Sequence, residues 1–290
     1  MGLHQLSARW RKYLPADAET LPELTPLERI VLNNIEIVGD NITLDALAIL
    51  HPYLPQDQAR KVLDSLVNKQ VIERNREHFY RFTAKTQRYM TDIGQALLAY
   101  AEMLNVVPMD QAYRLAVLTA ALIDKLTHSP QLFQMPIFSL ALKAMTPSEH
   151  PLGQVQQRLM ALMALRDDAH IAAWRAEQYS PVGIRVASHL FSLSESSPIE
   201  AFLKSPLFFD HAYVRTGLDE LQQRGDLLDT GVGYTLTAKG TVRRERVEHL
   251  TEEYFAHPFE KLLTETGRKD WLLLMNSLVD TTKTTQTLAL

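Results

Sequence analysis

A mainly helical chain carrying two small β-hairpins is the fold class the sequence predicts, and three observations predict it. The first is Ala59–Lys85, ARKVLDSLVNKQVIERNREHFYRFTAK. Val62, Leu63, Leu66 and Val67 share one face at i, i+1, i+4 and i+5, and Arg60, Lys61, Asp64, Asn68 and Lys69 fall mostly opposite, so the stretch opens as an amphipathic helix. Val71–Arg74 and Phe79–Phe82 then have strand length around the turn Asn75–His78. The second is Val214–Lys239, VRTGLDELQQRGDLLDTGVGYTLTAK, which repeats that pattern 155 residues later. Arg60, Leu63, Asp64, Leu66 and Lys69 meet Arg215, Leu218, Asp219, Leu221 and Arg224. One residue is lost in the hairpin, after which Tyr80, Thr83, Ala84 and Lys85 meet Tyr234, Thr237, Ala238 and Lys239. The third is that the register holds upstream, where Thr25-Pro26 meets Ser180-Pro181. A common order, a common offset and a single indel at a turn predict an internal duplication. Short helices feeding a helix and a hairpin build a winged helix-turn-helix, so the expectation is tandem winged helix-turn-helix domains, a pseudo-dimer, joined by a helical connector.

The elements follow in order. Leu3–Leu14 reads as a short amphipathic helix anchored by Trp10, and Pro15–Leu24 as an acidic loop. Thr25-Pro26-Leu27-Glu28 is an N-cap, a proline at the first helical position and an acid in the first turn, opening a helix to about Val38 that buries Leu27, Ile30, Val31 and Ile35. Gly39-Asp40-Asn41 stops it, and Thr43 caps Leu44–Leu50. His51–Pro55 is a turn, with Pro55 opening the third helix. Thr83 caps a long helix, Ala84–Leu104, and Pro108 starts another, Met109–Leu126. His128–Gly153 is broken by four prolines and reads as a packed connector with one helix near Ile137–Met145. Gln154–Gln178 is a long helix whose Ala172-Ala173-Trp174-Arg175 echoes Ala8-Arg9-Trp10-Arg11. The second unit runs through a helix from Ser180 to about Leu193, a short helix Ile199–Lys204 and a third within Phe208–Arg224, capped by Asp210 and ended by Gly225. Strands Leu227–Asp229 and Tyr234–Leu236 follow, about Thr230-Gly231-Val232-Gly233. A helix Ala238–Phe255, a turn around His257–Glu265, a helix Arg268–Val279 and a frayed Thr-rich tail close the chain. The expected domains are 1–107 and 154–290, each a winged-helix repeat with flanking helices, and the connector 108–153.

Composition bounds function. Apolar residues make up 46% and charged residues 22% of the 290, ordinary values for a globular chain with two cores. Cysteine is absent, which removes disulfides, thiolate catalysis and Cys-ligated zinc and fits a cytoplasmic setting. No apolar run approaches membrane-spanning length, and MGLHQLSARWRKYLPADAE lacks the apolar core of a secretory signal. Net charge is −4, yet Pro55–Tyr89 holds eight Lys/Arg against four acids, a local basic face on an otherwise acidic chain.

Tyr234-Thr-Leu-Thr-Ala-Lys-Gly240 resembles the Y-x-L-T-x-x-G hairpin end of MarR-like winged-helix regulators. The first repeat matches as Tyr80-Arg-Phe-Thr-Ala-Lys, with Thr86 in the glycine's place. The resemblance covers residues 25–104 and 180–256. Asp168-Ala-His-Ile-Ala-Ala-Trp-Arg175, running into Ser180, is similar to the second half of some actinobacterial MarR-like proteins of unsettled function. In MarR-like dimers each chain offers one winged helix to a half-site, so the resemblance implies that this chain carries both reading heads itself. The heads differ, however. Asp210–Arg246 balances six basic residues against six acids, and Gly217 lowers helix propensity in its third helix, so the second head is expected to be degenerate and structural.

The candidate contacts to double-stranded DNA are Gln56, Gln58, Arg60, Lys61 and Asn68 on the third helix of the first repeat, with Arg74, Arg76 and His78 on its wing. Amides and guanidinium groups reach base edges bidentately, and wing cations reach phosphates or a minor groove. The competing readings are a protein-interaction module built from degenerate winged helices, or a small-molecule binder using the cleft between repeats. A small-molecule effector and a second copy of the chain are further partners this architecture admits. No catalytic, cofactor or metal site is expected: there is no H-E-x-x-H, C-x-x-C, G-x-S-x-G, P-loop or G-x-G-x-x-G. Asp167, Asp168 and His170 could form an acid/base or metal group on one helix, but read more simply as a polar face or a buried histidine with a nearby partner.

Overall fold

The computed structural model describes residues 21–38, 42–103, 108–128, 130, 132–145, 148–193, 196–204 and 210–288, without the side chains of 37, 38, 96–103, 262 and 277–288. The helix expected at Leu3–Leu14, the Gly39-Asp40-Asn41 stop and Phe208 lie outside them. Helix α1 (Pro26–Val38) opens on a reciprocal capping box: Thr25 N donates to Glu28 Oε2 at 2.6 Å and Glu28 N to Thr25 Oγ1 at 3.2 Å. It buries Val31, Leu32 and Ile35, while Leu27 and Ile30 are only half-buried. Thr43 caps α2 (Leu44–Leu50) by accepting from Ala46 N at 3.0 Å. Helix α3 (Gln56–Asn68) buries Ala59, Val62, Leu63 and Leu66, and Pro55 is its N-cap rather than its first residue. Strands β1 (Ile72–Arg74) and β2 (Tyr80–Phe82) pair antiparallel with Ile72 opposite Phe82, each one residue shorter than expected. Helix α4 (Ala84–Met103) follows.

Helices α5 (Met109–His128), α6 (Pro136–Ala144) and α7 (Pro151–Ala176) form the middle of the molecule. Helix α7 starts before the expected Gln154 because His150 Nδ1 accepts from Leu152 N and Pro151 suits the first helical position. Next come α8 (Pro181–Phe191), α9 (Ile199–Phe202), α10 (His211–Gln223), β3 (Leu227–Asp229), β4 (Tyr234–Leu236), α11 (Ala238–Leu262) and α12 (Glu265–Leu288). Of the turn expected around His257–Glu265, the part up to Leu262 is helical and the break falls at Leu263 and Thr264. Pro258 is buried within α11, where Phe255, Phe259 and Trp271 pack at ring separations of 5.0 and 5.5 Å. Helix α12 likewise runs past Val279 to Leu288, where a frayed tail was expected.

Helix α7 packs on α5, α6 and α11, while α1 and α2 reach it through α6, and α8 and α10 pack against each other. One apolar cluster runs from Leu24 to Val247 across all of these. Among the described residues no helix is long and apolar enough to cross a membrane.

The order helix, helix, helix, hairpin, helix occurs in α1–α4 and again in α8–α11, and its contacts recur at the sequence offset. Lys69 Nζ donates to the Glu23 carbonyl at 2.9 Å, and Arg224 Nη1 to that of Gln178 at 2.7 Å. Val71 N donates to Leu66 O and Asp226 N to Leu221 O. Thr83 Oγ1 donates to Gln70 O and Thr237 Oγ1 to Gly225 O. Gln70 and Gly225 both have positive φ, 57° and 71°. Ile42 bridges Tyr80, and Ser197 bridges Tyr234.

One contact is conserved in kind but supplied from the other side. In the first unit Glu28 of α1, 3% exposed, accepts from Ser65 Oγ at 2.7 Å and Lys69 Nζ at 2.8 Å, both on or just past α3. In the second unit position 28 corresponds to Gly183 and position 65 to Glu220. Glu220 accepts from Ser180 N at 3.0 Å, from the Ser180 hydroxyl and from Arg224 Nη1 at 3.2 Å. A Cβ on Gly183 would run into that carboxylate. The helix pair therefore keeps one carboxylate between its first and third helices, hung from opposite helices in the two units.

Gly217 also has a packing explanation that overrides its propensity. Helix α10 is unbroken through it, and a Cβ there would stand 2.7 Å from Val186 Cγ2 and 3.0 Å from the Val182 carbonyl. Gly217→Ala is expected to destabilise by about 1–3 kcal/mol in urea unfolding, despite alanine's better helix propensity, because overpacking outweighs it. Glu28→Ala is expected to cost a similar ~1–3 kcal/mol by leaving Ser65 and Lys69 without their acceptor. Glu28→Ala/Ser65→Glu should recover most of that loss; a double variant no more stable than the single would refute interchangeable placement of the carboxylate.

Candidate nucleic-acid interface

Seven of the eight predicted contact residues are exposed: Gln56, Arg60, Lys61, Asn68, Arg74, Arg76 and His78. Gln58 is half-buried, and its amide donates to Asp57 Oδ2 at 3.3 Å. The amphipathic pattern accounts for the α3 members, since burying Val62, Leu63 and Leu66 turns Arg60 and Lys61 outward. Lys61 faces Asp57 at 3.7 Å with both side chains about two-thirds exposed, a contact worth little in solvent. No side chain caps α3, so the backbone donors of its first turn carry no intramolecular side-chain partner at the end where Gln56 sits.

The hairpin turn is built by Asn75, whose side-chain oxygen accepts from Glu77 N at 3.0 Å and Phe79 N at 2.9 Å. That turn places His78 in the left-handed region at φ 66° and Arg76 at its exposed tip. Arg74 Nη2 meets His78 Nδ1 at 2.7 Å, and its guanidinium lies 5.6 Å from the Tyr80 ring centre, so the structure brings these two predicted residues together. Arg60 and Arg76 have no ion-pair partner among the described residues.

Most cations of the second unit are held by its own groups. Arg243 pairs with the fully buried Asp226 at 2.8 Å, with Arg224 at 3.5 Å and Lys239 at 3.8 Å from the same carboxylate. Arg224 also donates to Gln178 O and Glu177 O and lies 4.6 Å from the Tyr179 ring centre. Arg244 holds Glu248 at 2.6 Å and Ser188 Oγ at 2.9 Å, and Arg246 holds Glu177 at 2.8 Å. Arg215 is exposed on α10.

Residues 83–288 match a helix-turn-helix family, well over half of the chain. The chain belongs to that helix-turn-helix family. Membership supports DNA as its partner. No curated protein sequence matches the chain. The family match begins at Thr83, so it takes in α8–α10 and the second hairpin, and all eight predicted contacts lie ahead of it.

Asp167, Asp168 and His170 do not converge as a catalytic or metal group. Asp168 is 2% exposed and accepts from Ile137 N at 3.1 Å and Phe138 N at 2.8 Å, capping α6 from another helix. Burial pushes its carboxyl up to about 6, against the pull of those two bonds. His170 Nδ1 is 3.1 Å from Thr251 Oγ1, and burial together with Arg244 brings its pKa down to about 4. Among the described residues no three His, Asp or Glu are placed to hold a metal ion. Sequence reasoning missed the structural role of Glu28, although T-x-x-E is a capping-box signature; nothing in the sequence pointed to Asp168 as a cap, 31 residues from its partner.

A histidine with depressed folded pKa binds its proton in the unfolded chain first, so stability falls as pH drops. His51, brought down to about 4 by burial and by Arg185, acts in the same direction as His170. Urea midpoints should therefore fall as pH is lowered from about 6.5 towards 4, opposed below pH 6 by Asp168, whose raised pKa favours the acid-side fold. His170→Gln should make the fall shallower; an unchanged slope would refute its share.

Proposed function

We propose that the protein is a DNA-binding transcription regulator built from two winged-helix units of common origin, 1–107 and 154–290, joined by a helical connector, 108–153. The first unit is its reading head. The duplication is supported by the contacts that recur at one offset and by the carboxylate exchanged between Glu28 and Glu220. The MarR-like reading rests on the Tyr234–Gly240 hairpin exit and gives a cytoplasmic regulator in which both heads share one chain.

The observation that carries the assignment of the head is the unequal use of cations. Arg60 and Arg76 stand exposed on α3 and its hairpin, whereas Arg224, Arg243 and Arg244 are spent on the protein itself. A side chain already held by a buried carboxylate releases little on meeting a phosphate. Gln56, Gln58, Lys61 and Asn68 are then the base-reading and backbone contacts of α3, and Arg74, Arg76 and His78 those of the wing. For the second unit a protein-contact role is favoured by one observation: Leu228, Val232 and Val242 are 53%, 79% and 64% exposed where the first unit has Glu73, His78 and Arg88.

Binding to random-sequence duplex DNA across a salt series tests the assignment. Affinity should fall steeply with salt, and Arg60→Ala/Arg76→Ala should weaken it by about tenfold or more at fixed salt and flatten the slope. Arg215→Ala on α10 should leave it unchanged. Loss in Arg215→Ala with Arg60→Ala/Arg76→Ala unaffected would transfer the head to the second unit, and no binding at low salt would overturn the regulator reading.

A further inference from the structure

The two hairpins share a backbone course and differ in what their outer edges carry. In the second, Tyr234 exchanges both of its backbone bonds with Ser197, while Thr230 N donates to Gly233 O and Thr237 N to Asp226 O. Bonds alternate along an antiparallel ladder, so Leu228 spends its backbone groups on Thr235, and Leu227 and Asp229 turn theirs away from β4. Among the described residues no strand lies beyond β3, so that side is a sheet edge. Leu227 anchors the strand in the core, Asp229 is exposed, and Leu228 between them stands 53% exposed on the solvent face.

The first hairpin has the same edge and blunts it. Its counterpart of Leu228 is Glu73, which pairs across the ladder with Arg81 at 2.6 Å. Ile72–Phe82 carries five charged residues, Glu73, Arg74, Arg76, Glu77 and Arg81, where Leu227–Leu236 carries only Asp229. That carboxylate is turned onto its own hairpin, accepting from Gly231 N at 2.8 Å. Charge along an edge strand is what keeps it from pairing with another chain, and an edge with exposed leucine and almost no charge is open to such pairing.

We propose that a second copy of this chain docks on β3, the two β3 strands pairing antiparallel about a two-fold axis through Leu228 to make one continuous sheet. The register is self-consistent. It sets Leu227 opposite Asp229 of the second copy, the residues whose backbone groups face outward, and Leu228 against its own counterpart as the close, non-hydrogen-bonded pair. No like charges oppose each other, since Asp229 meets Leu227. The same operation on β1 would set Glu73 against Glu73, which is destabilising. Val232, 79% exposed at the hairpin tip, then passes the second copy's Arg224, whose carbonyl accepts from Lys239 at the start of α11, the helix on which Val242 is 64% exposed. Such a contact closes on itself, so assembly stops at two chains. The proposal rests on the protein-contact role read for the second unit and gives that role its partner.

The chain contains no cysteine, so a single introduced one reports a single position. Under the two-fold the Leu228 Cα atoms lie about 4.5 Å apart, within disulfide reach, and Leu228→Cys should form an interchain disulfide with oxidised glutathione. Val232→Cys, more exposed but roughly 20 Å from its counterpart, should do so at least about tenfold more slowly, and equal rates would overturn the proposal. Sedimentation of the unmodified full chain from about 1 to 300 µM should carry the mass from 33.0 kDa towards twice that value. Leu228→Glu/Thr235→Arg rebuilds the cross-strand pair of the first hairpin, so it keeps the fold, and should weaken association by about tenfold or more. A mass fixed at 33.0 kDa, or association unchanged in the double variant, overturns the dimer and leaves the second unit's contact role to another partner. Duplex DNA binding by the double variant at nanomolar protein, where the chain is single, separates the two readings: unchanged affinity keeps the contact role, and lost affinity makes the second hairpin a DNA contact and overturns both.

Discussion

The placement of the first unit depends first on one carboxylate. Asp168, in the middle of α7, accepts the first two free N–H groups of α6, and α6 is the helix on which α1 and α2 rest. Without it those donors would open into the core unpaired, the costliest place for an orphaned helix end. Burial raises the carboxyl's pKa to about 6, and the two N–H groups, which favour its charge, offset only part of that rise. The Tyr53 frame adds a second attachment, in which Trp174, Tyr213 and Arg185 all engage one residue of the turn before α3. Through these two contacts the first unit is seated on helices belonging to the second.

Within each unit the equivalent constraint is the carboxylate between first and third helices. Its energetic role is the same in both: it completes the N-terminus of the first helix and neutralises the cation that follows the third. Burial pushes the Glu28 carboxyl up, and the bonds from Lys69, Ser65 and Thr25 together bring it below its usual value, so the charged form is the one built into the fold. Moving the group from position 28 to the counterpart of position 65 preserves the contact because the two helices are adjacent there.

The sequence made the local pieces legible and hid those settled by distant neighbours. Val62, Leu63 and Leu66 announced which face of α3 is buried, and thereby which residues are exposed, because amphipathic spacing is itself the cause of that burial. Gly217 was misleading for the opposite reason: helix propensity is a property of the local chain, and the close approach of Val182 and Val186 is not. The turn expected around His257–Glu265 narrows to Leu263 and Thr264, because α11 continues through Pro258 amid aromatic packing. Asp168 read most simply as part of a polar face, yet it is buried, and its partners lie on another helix and are backbone donors, which leave no mark in a sequence. The fate of the second unit's cations was equally hidden, because it turns on the burial of Asp226.

That last residue explains how two units so alike in backbone could come to differ in surface. At the position after the third helix the first unit has Val71, a fully buried hydrocarbon, and the second has Asp226, equally buried. A carboxylate with no solvent must be paired, and Arg224, Lys239 and Arg243 gather on it from three directions. Their counterparts in the first unit are Lys69, Lys85 and Tyr89, around a residue that demands no charge. One Val/Asp difference thus adds a buried acceptor for Arg243 and Lys239 in one unit that the other lacks, while Arg224 and Lys69 are held alike by Glu220 and Glu28. In a symmetric dimer of identical chains that change would strike both heads at once. On the duplication reading, a single chain holding both units is free to make it in one, so one head can become a structural support for the other.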